Sequence, residues 1–261
     1  MAITTLAGII AAKRQQVSFV TTTSTGSTAI NSRFNSVGEP TGTLAGTSTA
    51  AGVVPTNEST GYPRIKPFAG TNHGYIADIH AVGNATIRLA IFDRLFVAGA
   101  YAFNASVTLA GQPSYASRVP NADYSGLELW LEQVTTTTGS QTVSVGYTNQ
   151  NGTNSRSTGA VAVGTLGPNS CVRLPFQSGD DGIQQVNSVT GTVATAGTFN
   201  IMVLRRLAEV QVKQASVHES VSVINGDLLQ RVYGNSALYV ISYNGSLGSG
   251  IYHVRADIVE G

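Results

Sequence analysis

Apolar and polar residues alternate with period two along much of the chain from Gly74 onward, and this alternation predicts strands. Leu127, Leu129 and Leu131 fall on one face of GLELWLEQV, with Glu128, Trp130 and Glu132 on the other. Val143, Val145 and Tyr147 share a face in QTVSVGYT, and Val161 and Val163 resume the alternation in GAVAVG. GYIAD (residues 74–78) and CVRLPFQ read as further strands. FNIMVL is a continuous apolar run and predicts a central strand buried on both faces. ATIRLAIFDRLFVA has helix-like stretches, but its β-branched and aromatic content favours strand. VQVKQASVHESVSV alternates at Val210 and Val212 and again at Val221 and Val223. YNGSLGSGIYH, with Asn244-Gly245 as a turn signal, reads as a hairpin joining two strands.

Gly, Asn, Ser and Pro punctuate these runs, which is the pattern of an all-β sandwich or barrel. The fold expected is an antiparallel β-sandwich or jelly-roll-like core (residues 61–208). A short helix over residues 4–12, with Leu6, Ile9 and Ile10 on one face, opens an N-terminal arm (1–60). Residues 21–59 are rich in Thr, Ser, Gly and Ala, and bury too little apolar surface to order alone. They are expected either to be flexible or, in an assembly, to be ordered by extending along a neighbour. Residues 209–261 form a C-terminal β extension or small β unit.

Composition changes this picture in one respect. Of the 261 residues 42% are hydrophobic, enough for a core, but only 11% are charged and the net charge is +1. An ordinary soluble domain carries about 25% charged residues. A near-neutral surface built from Ser, Thr, Asn, Gln and Gly suits a protein packed inside an assembly. Lys13-Arg14 and Arg205-Arg206 are isolated basic pairs, so no nucleic-acid partner is expected. The apolar part of MAITTLAGIIAAKRQQ precedes its basic pair, the reverse of a secretory signal, and no window approaches a membrane span. The chain is expected to be soluble and not exported, with no membrane partner. Cys171, the single cysteine, lies among apolar residues and reads as a buried structural thiol.

The search for chemistry yields little. His73 and His80 bracket Asp78 in NHGYIADIH, but residues seven apart in a strand point to opposite faces, and zinc pairs are usually spaced more tightly. SGDDGIQQ lacks the alternating acids of a calcium loop and reads as a turn, with Asp180 or Asp181 bonding its own backbone. No nucleophile elbow, Walker loop or dinucleotide fingerprint occurs. Glu128, Trp130 and Glu132 could line a carbohydrate groove, or simply be the solvent face of a strand. A glycan-binding module would draw on exposed aromatics such as Trp130, Tyr233, Tyr239, Tyr243 and Tyr252. No enzyme activity, cofactor or metal is expected. VSVGYTNQNGTNSRSTGAVAVG (143–164) reads as strand, hairpin loop and strand, with Arg156 its only charge.

Four pieces of the chain, MAITTLAGIIAA, IFDRLF (91–96), residues 143–163 and VRLPFQSGDDGIQQVNSVT (172–190), resemble a group of tailed-phage virion proteins. The corresponding positions are Asp93-Arg94-Leu95, Thr135–Thr138, Tyr147-Thr148-Asn149 and Phe176 to Gly182. The resemblance covers about half the chain and carries over no catalytic residues. It implies a structural component of a phage particle, made in the bacterial cytoplasm and located in the virion. A capsid-associated decoration protein is the first expectation, and a tail, collar or fibre protein the alternative. Partners would be other virion proteins, with homo-oligomer formation. Lys13, Arg14, Arg33 and Arg156 are the expected protein-interaction residues.

Overall fold

The computed structural model describes residues 7–8, 12–21, 30–33, 49–192, 196–222, 230–244 and 251–261. Its strands in chain order are β1 (Arg14–Thr21), β2 (Ile30–Arg33), β3 (Gly74–Gly83), β4 (Ile87–Ala102), β5 (Ser106–Thr108), β6 (Leu127–Thr135), β7 (Gln141–Asn149), β8 (Arg156–Ser157), β9 (Val161–Val163), β10 (Cys171–Leu174), β11 (Ile183–Gly191), β12 (Thr198–Val212), β13 (Glu219–Ser222), β14 (Arg231–Val232), β15 (Leu238–Asn244) and β16 (Tyr252–Glu260). Every strand pair is antiparallel. The fold is all-β, as the alternation predicts.

Three sheets form. The first has the order β1-β16-β3-β13, with β14 also on β3; the second β10-β6-β12-β4-β15-β2; the third β5-β11-β7-β8, with β9 also on β7. The long strands β4 and β12 pair along their whole length, from Thr198 opposite Ala102 to Val212 opposite Ile87. They make a spine shared by two sandwiches. At one end Phe96, Leu129, Leu131, Phe199, Ile201 and Val203 pack on Val143, Val145, Tyr147, Val186 and Val189 of the third sheet. At the other end Ile87, Leu89, Ile91, Val210, Val212 and Val240 pack on Phe19, Ile76, Ile79, Val254 and Ile258 of the first. FNIMVL is central and buried on both faces, because its reverse side enters a third core with Phe92, Trp130 and Tyr239.

That third core corrects the reading of β6. Glu128, Trp130 and Glu132 do share a face, but it is not a solvent face: each is at most 5% exposed. The cover includes Tyr62, whose segment is tied to β4 by paired backbone bonds between Val53 and Val97 (2.8 and 3.0 Å). The hairpin expected at YNGSLGSGIYH is also corrected. β15 pairs with β4 and β2, whereas β16 pairs with β1 and β3, so the flanking strands belong to different sheets. Residues 245–250 lie outside the described residues. β1 and β2, from the segment expected as an arm, and β15 and β16, from the expected C-terminal extension, are strands of the same two sheets as the core. Of the short helix over 4–12 only Ala7 and Gly8 are described as helical, and residues 22–29 and 34–48 of the expected arm lie outside the described set.

Where the two main cores meet, the spine turns polar. Asp93 on β4 lies between Ile91 of one core and Leu95 of the other, opposite Arg205 on β12. Its carboxylate accepts from Arg118 (3.1 Å), Arg205 (3.3 Å), the Ser236 hydroxyl (2.8 Å) and the Ala237 amide (3.0 Å). A short 3-10 turn, Ala116–Arg118, delivers Arg118, which also donates to the carbonyls of Arg94 and Asn235. On the reverse face Arg94 donates to Glu132 (2.9 Å) and Tyr62 (3.2 Å), and Glu132 also accepts from Asn200 and Tyr239. Burial opposes the charged form of Arg94, but Glu132, Tyr62 and Tyr239 together outweigh it and raise the guanidinium above its ordinary value. Burial pushes the Tyr62 phenol up to about 12.

Candidate functional site

The loop after β7 is a hairpin loop, as its letters predict. β8 and β9 both return to pair with β7, and Gly152 takes φ 80° in the turn. Asn149 organises it: its side-chain oxygen accepts the amides of Asn151 (3.1 Å) and Thr153 (2.9 Å). Its amide nitrogen donates to Asp180 (2.7 Å). Asp180 also takes Arg156 in a two-point pair (2.8 and 3.0 Å) and the Tyr147 hydroxyl (2.7 Å). The Tyr147 hydroxyl in turn accepts the Gln177 amide at 2.7 Å. Arg156, followed by Asn149 and Tyr147, holds the Asp180 carboxyl down at about 2. Burial, with Asp180 beside it, raises Tyr147 to about 12.

This clasp modifies two expectations. The Asp180 turn is real, but it is closed by the Asp180 amide on the Gln177 carbonyl (3.0 Å), which leaves the carboxylate for Arg156 and not for its own backbone. Arg156, expected as a charged contact for another protein, is committed within the chain and only 23% exposed. The clasp joins two of the motifs that carry the phage resemblance, Tyr147-Thr148-Asn149 and Phe176 to Gly182. Gly182 has a steric reason of its own: it bridges Ser125, and a Cβ there would overlap the Tyr124 carbonyl.

Lys13 and Arg14 are exposed at the start of β1 and line a surface groove with Lys66 and Glu260. Arg33 ends β2 opposite Val240, away from them in the second sheet. The structure therefore brings together two of the four expected interaction residues and places the other two elsewhere. Lys66 carried no sequence signal, because nothing in KPFAG reveals that Gln15 will hold its backbone. Arg118 was equally silent, being one arginine in a polar loop. Asp93-Arg94 was visible as a motif, but its chemistry required knowing that both faces of β4 are covered.

Among the described residues no group of three His, Cys, Asp or Glu is placed to hold a metal ion. His73 lies outside the strand, against the Tyr233 ring at 5.3 Å. His80 is on β3, 5.4 Å from the His218 ring and 3.5 Å from Asp257. The aromatic residues proposed for a glycan platform are mostly internal: Trp130, Tyr239 and Tyr252 are at most 2% exposed. Trp130 donates to Glu128 at 2.9 Å. Cys171 is buried, as expected. No described helix is long and apolar enough to cross a membrane.

No family model and no curated protein matches the chain. Solved structures that align with it include infectious bursal disease virus of the Gt strain (10% identity, TM-score 0.19, 95% of this chain and 81% of that one). The VP2 subviral particle of the same virus aligns at 11% identity and TM-score 0.18, over 95% of this chain and 80% of that one. At such TM-scores the likeness carries no argument.

Proposed function

We propose that the chain is a structural subunit of a virus particle, acting through protein-protein contacts, and specifically a capsid-associated decoration or stabilising protein. The observation that carries this reading is where the charge goes. Asp93, Arg94, Arg118, Glu128, Glu132 and Arg205 are buried. These charges are withdrawn from the exterior of a chain that is only 11% charged to begin with. Uncharged hydroxyl and amide surfaces lose little on packing against a neighbour, while a buried charge costs several kcal/mol unless paired. Repeated over a lattice, modest contacts of this kind add up by avidity. The short strand-and-turn motifs shared with tailed-phage virion proteins point the same way.

The test is stoichiometric. Quantitative mass spectrometry of purified particles from the virus encoding this chain is expected to find copies in proportion to the shell lattice. A few copies per particle would move the protein to the tail or collar, and its absence from particles would overturn the proposal.

A further inference from the structure

Every described arginine between positions 64 and 206 lies within ion-pair distance of a carboxylate. Against that background Lys13, Arg14 and Lys66 stand out. All three are exposed, line one groove of about 250 Å³, and have no ion-pair partner among the described residues. The groove is built and not accidental. The Gln15 side chain grips the Lys66 backbone at both ends, accepting its amide at 2.8 Å and donating to its carbonyl at 3.1 Å. The Lys13 carbonyl accepts the Glu260 amide at 2.8 Å, which fixes the start of β1 on the end of β16.

The one carboxylate in the groove is already engaged. Glu260 accepts the Ala69 amide (2.7 Å) and the Asn72 side chain (3.1 Å), and these bonds, more than nearby Lys13, lower its pKa. Three cations and one occupied carboxylate give the groove a local charge of +2, more than the +1 of the entire chain. β1 is also an edge: its only described strand partner is β16. An edge strand offers unpaired backbone groups to an incoming extended chain.

We infer that this groove is a docking site for an acidic, extended segment of a partner protein, its carboxylates meeting Lys13, Arg14 and Lys66 and its backbone running beside β1. The inference does not depend on the virion reading, since it concerns binding by the isolated chain.

The probe is a fluorescein-labelled octapeptide containing four glutamates, with a four-glutamine counterpart, titrated with the full chain and read by anisotropy. The glutamate peptide is expected to bind, more weakly at 300 than at 50 mM salt, and the glutamine peptide is not. The variant carrying Lys13→Gln, Arg14→Gln and Lys66→Gln should lose affinity on the order of tenfold, as three exposed pairs imply. Its thermal unfolding should match that of the unmodified chain. Lys213→Gln, distant from the groove, should bind as before. Equal binding by the triple variant, an equal loss with Lys213→Gln, or no binding of the glutamate peptide overturns the inference. So does preference for anionic phospholipid vesicles or for single-stranded oligonucleotide over the peptide.

Discussion

Asp93 and Asp180 each gather an arginine, a hydroxyl and an N–H donor, yet only the second cluster is reached by water. At the junction of the two sandwiches, Asp93 and Arg118 are at most 1% exposed and Arg205 only 7%. In the clasp over the third sheet, Arg156 is 23% exposed. Similar chemistry therefore does different work. The clasp joins a hairpin loop to a neighbouring turn, and solvent can take over if it opens. The junction has no such substitute. Among the described residues, Arg205 leaves Nε and one terminal nitrogen without a hydrogen-bond partner even when Asp93 is present. Two cations share one carboxylate there, so the arrangement stays intact only as a whole. What it supplies is position: it marks the point on the spine where one apolar core ends and the other begins.

The sharpest way to break this contrast is Asp93→Ala. It strands Arg118 and Arg205 without a counter-charge, and should cost about 3–5 kcal/mol in urea unfolding. A loss below about 1 kcal/mol would mean that water enters the junction. Next comes Glu132→Leu, which strands one cation, Arg94, and takes the acceptor from Asn200 and Tyr239. Its cost should be of the same order but smaller than that of Asp93→Ala, and the added change Arg94→Met should recover most of it. A double variant no more stable than the single one would show that the pair is needed for more than mutual neutralisation. Gly182→Ala tests the turn beneath the clasp by steric overlap, and should cost about 1–3 kcal/mol. Asp180→Asn should have the smallest effect.

The clasp can also be tested through its acid response. The Asp180 carboxyl falls from an ordinary 3.8 to about 2 in the folded chain. A depressed carboxyl stabilises the fold above its unfolded value and loses that contribution as pH falls through the folded one. The difference in stability between the unmodified chain and Asp180→Asn should therefore be constant above about pH 5 and shrink between about pH 4 and pH 2. A constant difference down to pH 2 would show that the clasp does not act through its charge.

Much of the architecture was legible in the residues, and the failures share one cause. Alternation placed Leu129 and Trp130 on opposite faces of β6, and the unbroken FNIMVL run marked the central strand. Alternation cannot say what lies beyond a face, however. Leu with Glu on alternate positions reads as core against solvent, and only the fold shows that Tyr62 and Arg94 cover Glu132. The Asn244-Gly245 signal failed for a related reason. It describes a local turn, whereas strands β15 and β16 are claimed by distant partners in different sheets. In the candidate site Lys13 and Arg14 could be seen as an adjacent pair. Lys66 could not, because it is brought there by a contact spanning 51 positions.

β16 has a consequence for the order of assembly. It sits between β1 and β3, which do not otherwise pair. A ribosome delivers β1 and β3 long before it delivers Tyr252–Glu260. Until then the apolar sides of Phe19 and Ile79 have no strand to bring them together. Completion of the first sheet is thus a late event in the life of each newly made chain, and the Lys13 groove, which is framed by Glu260, matures only with it.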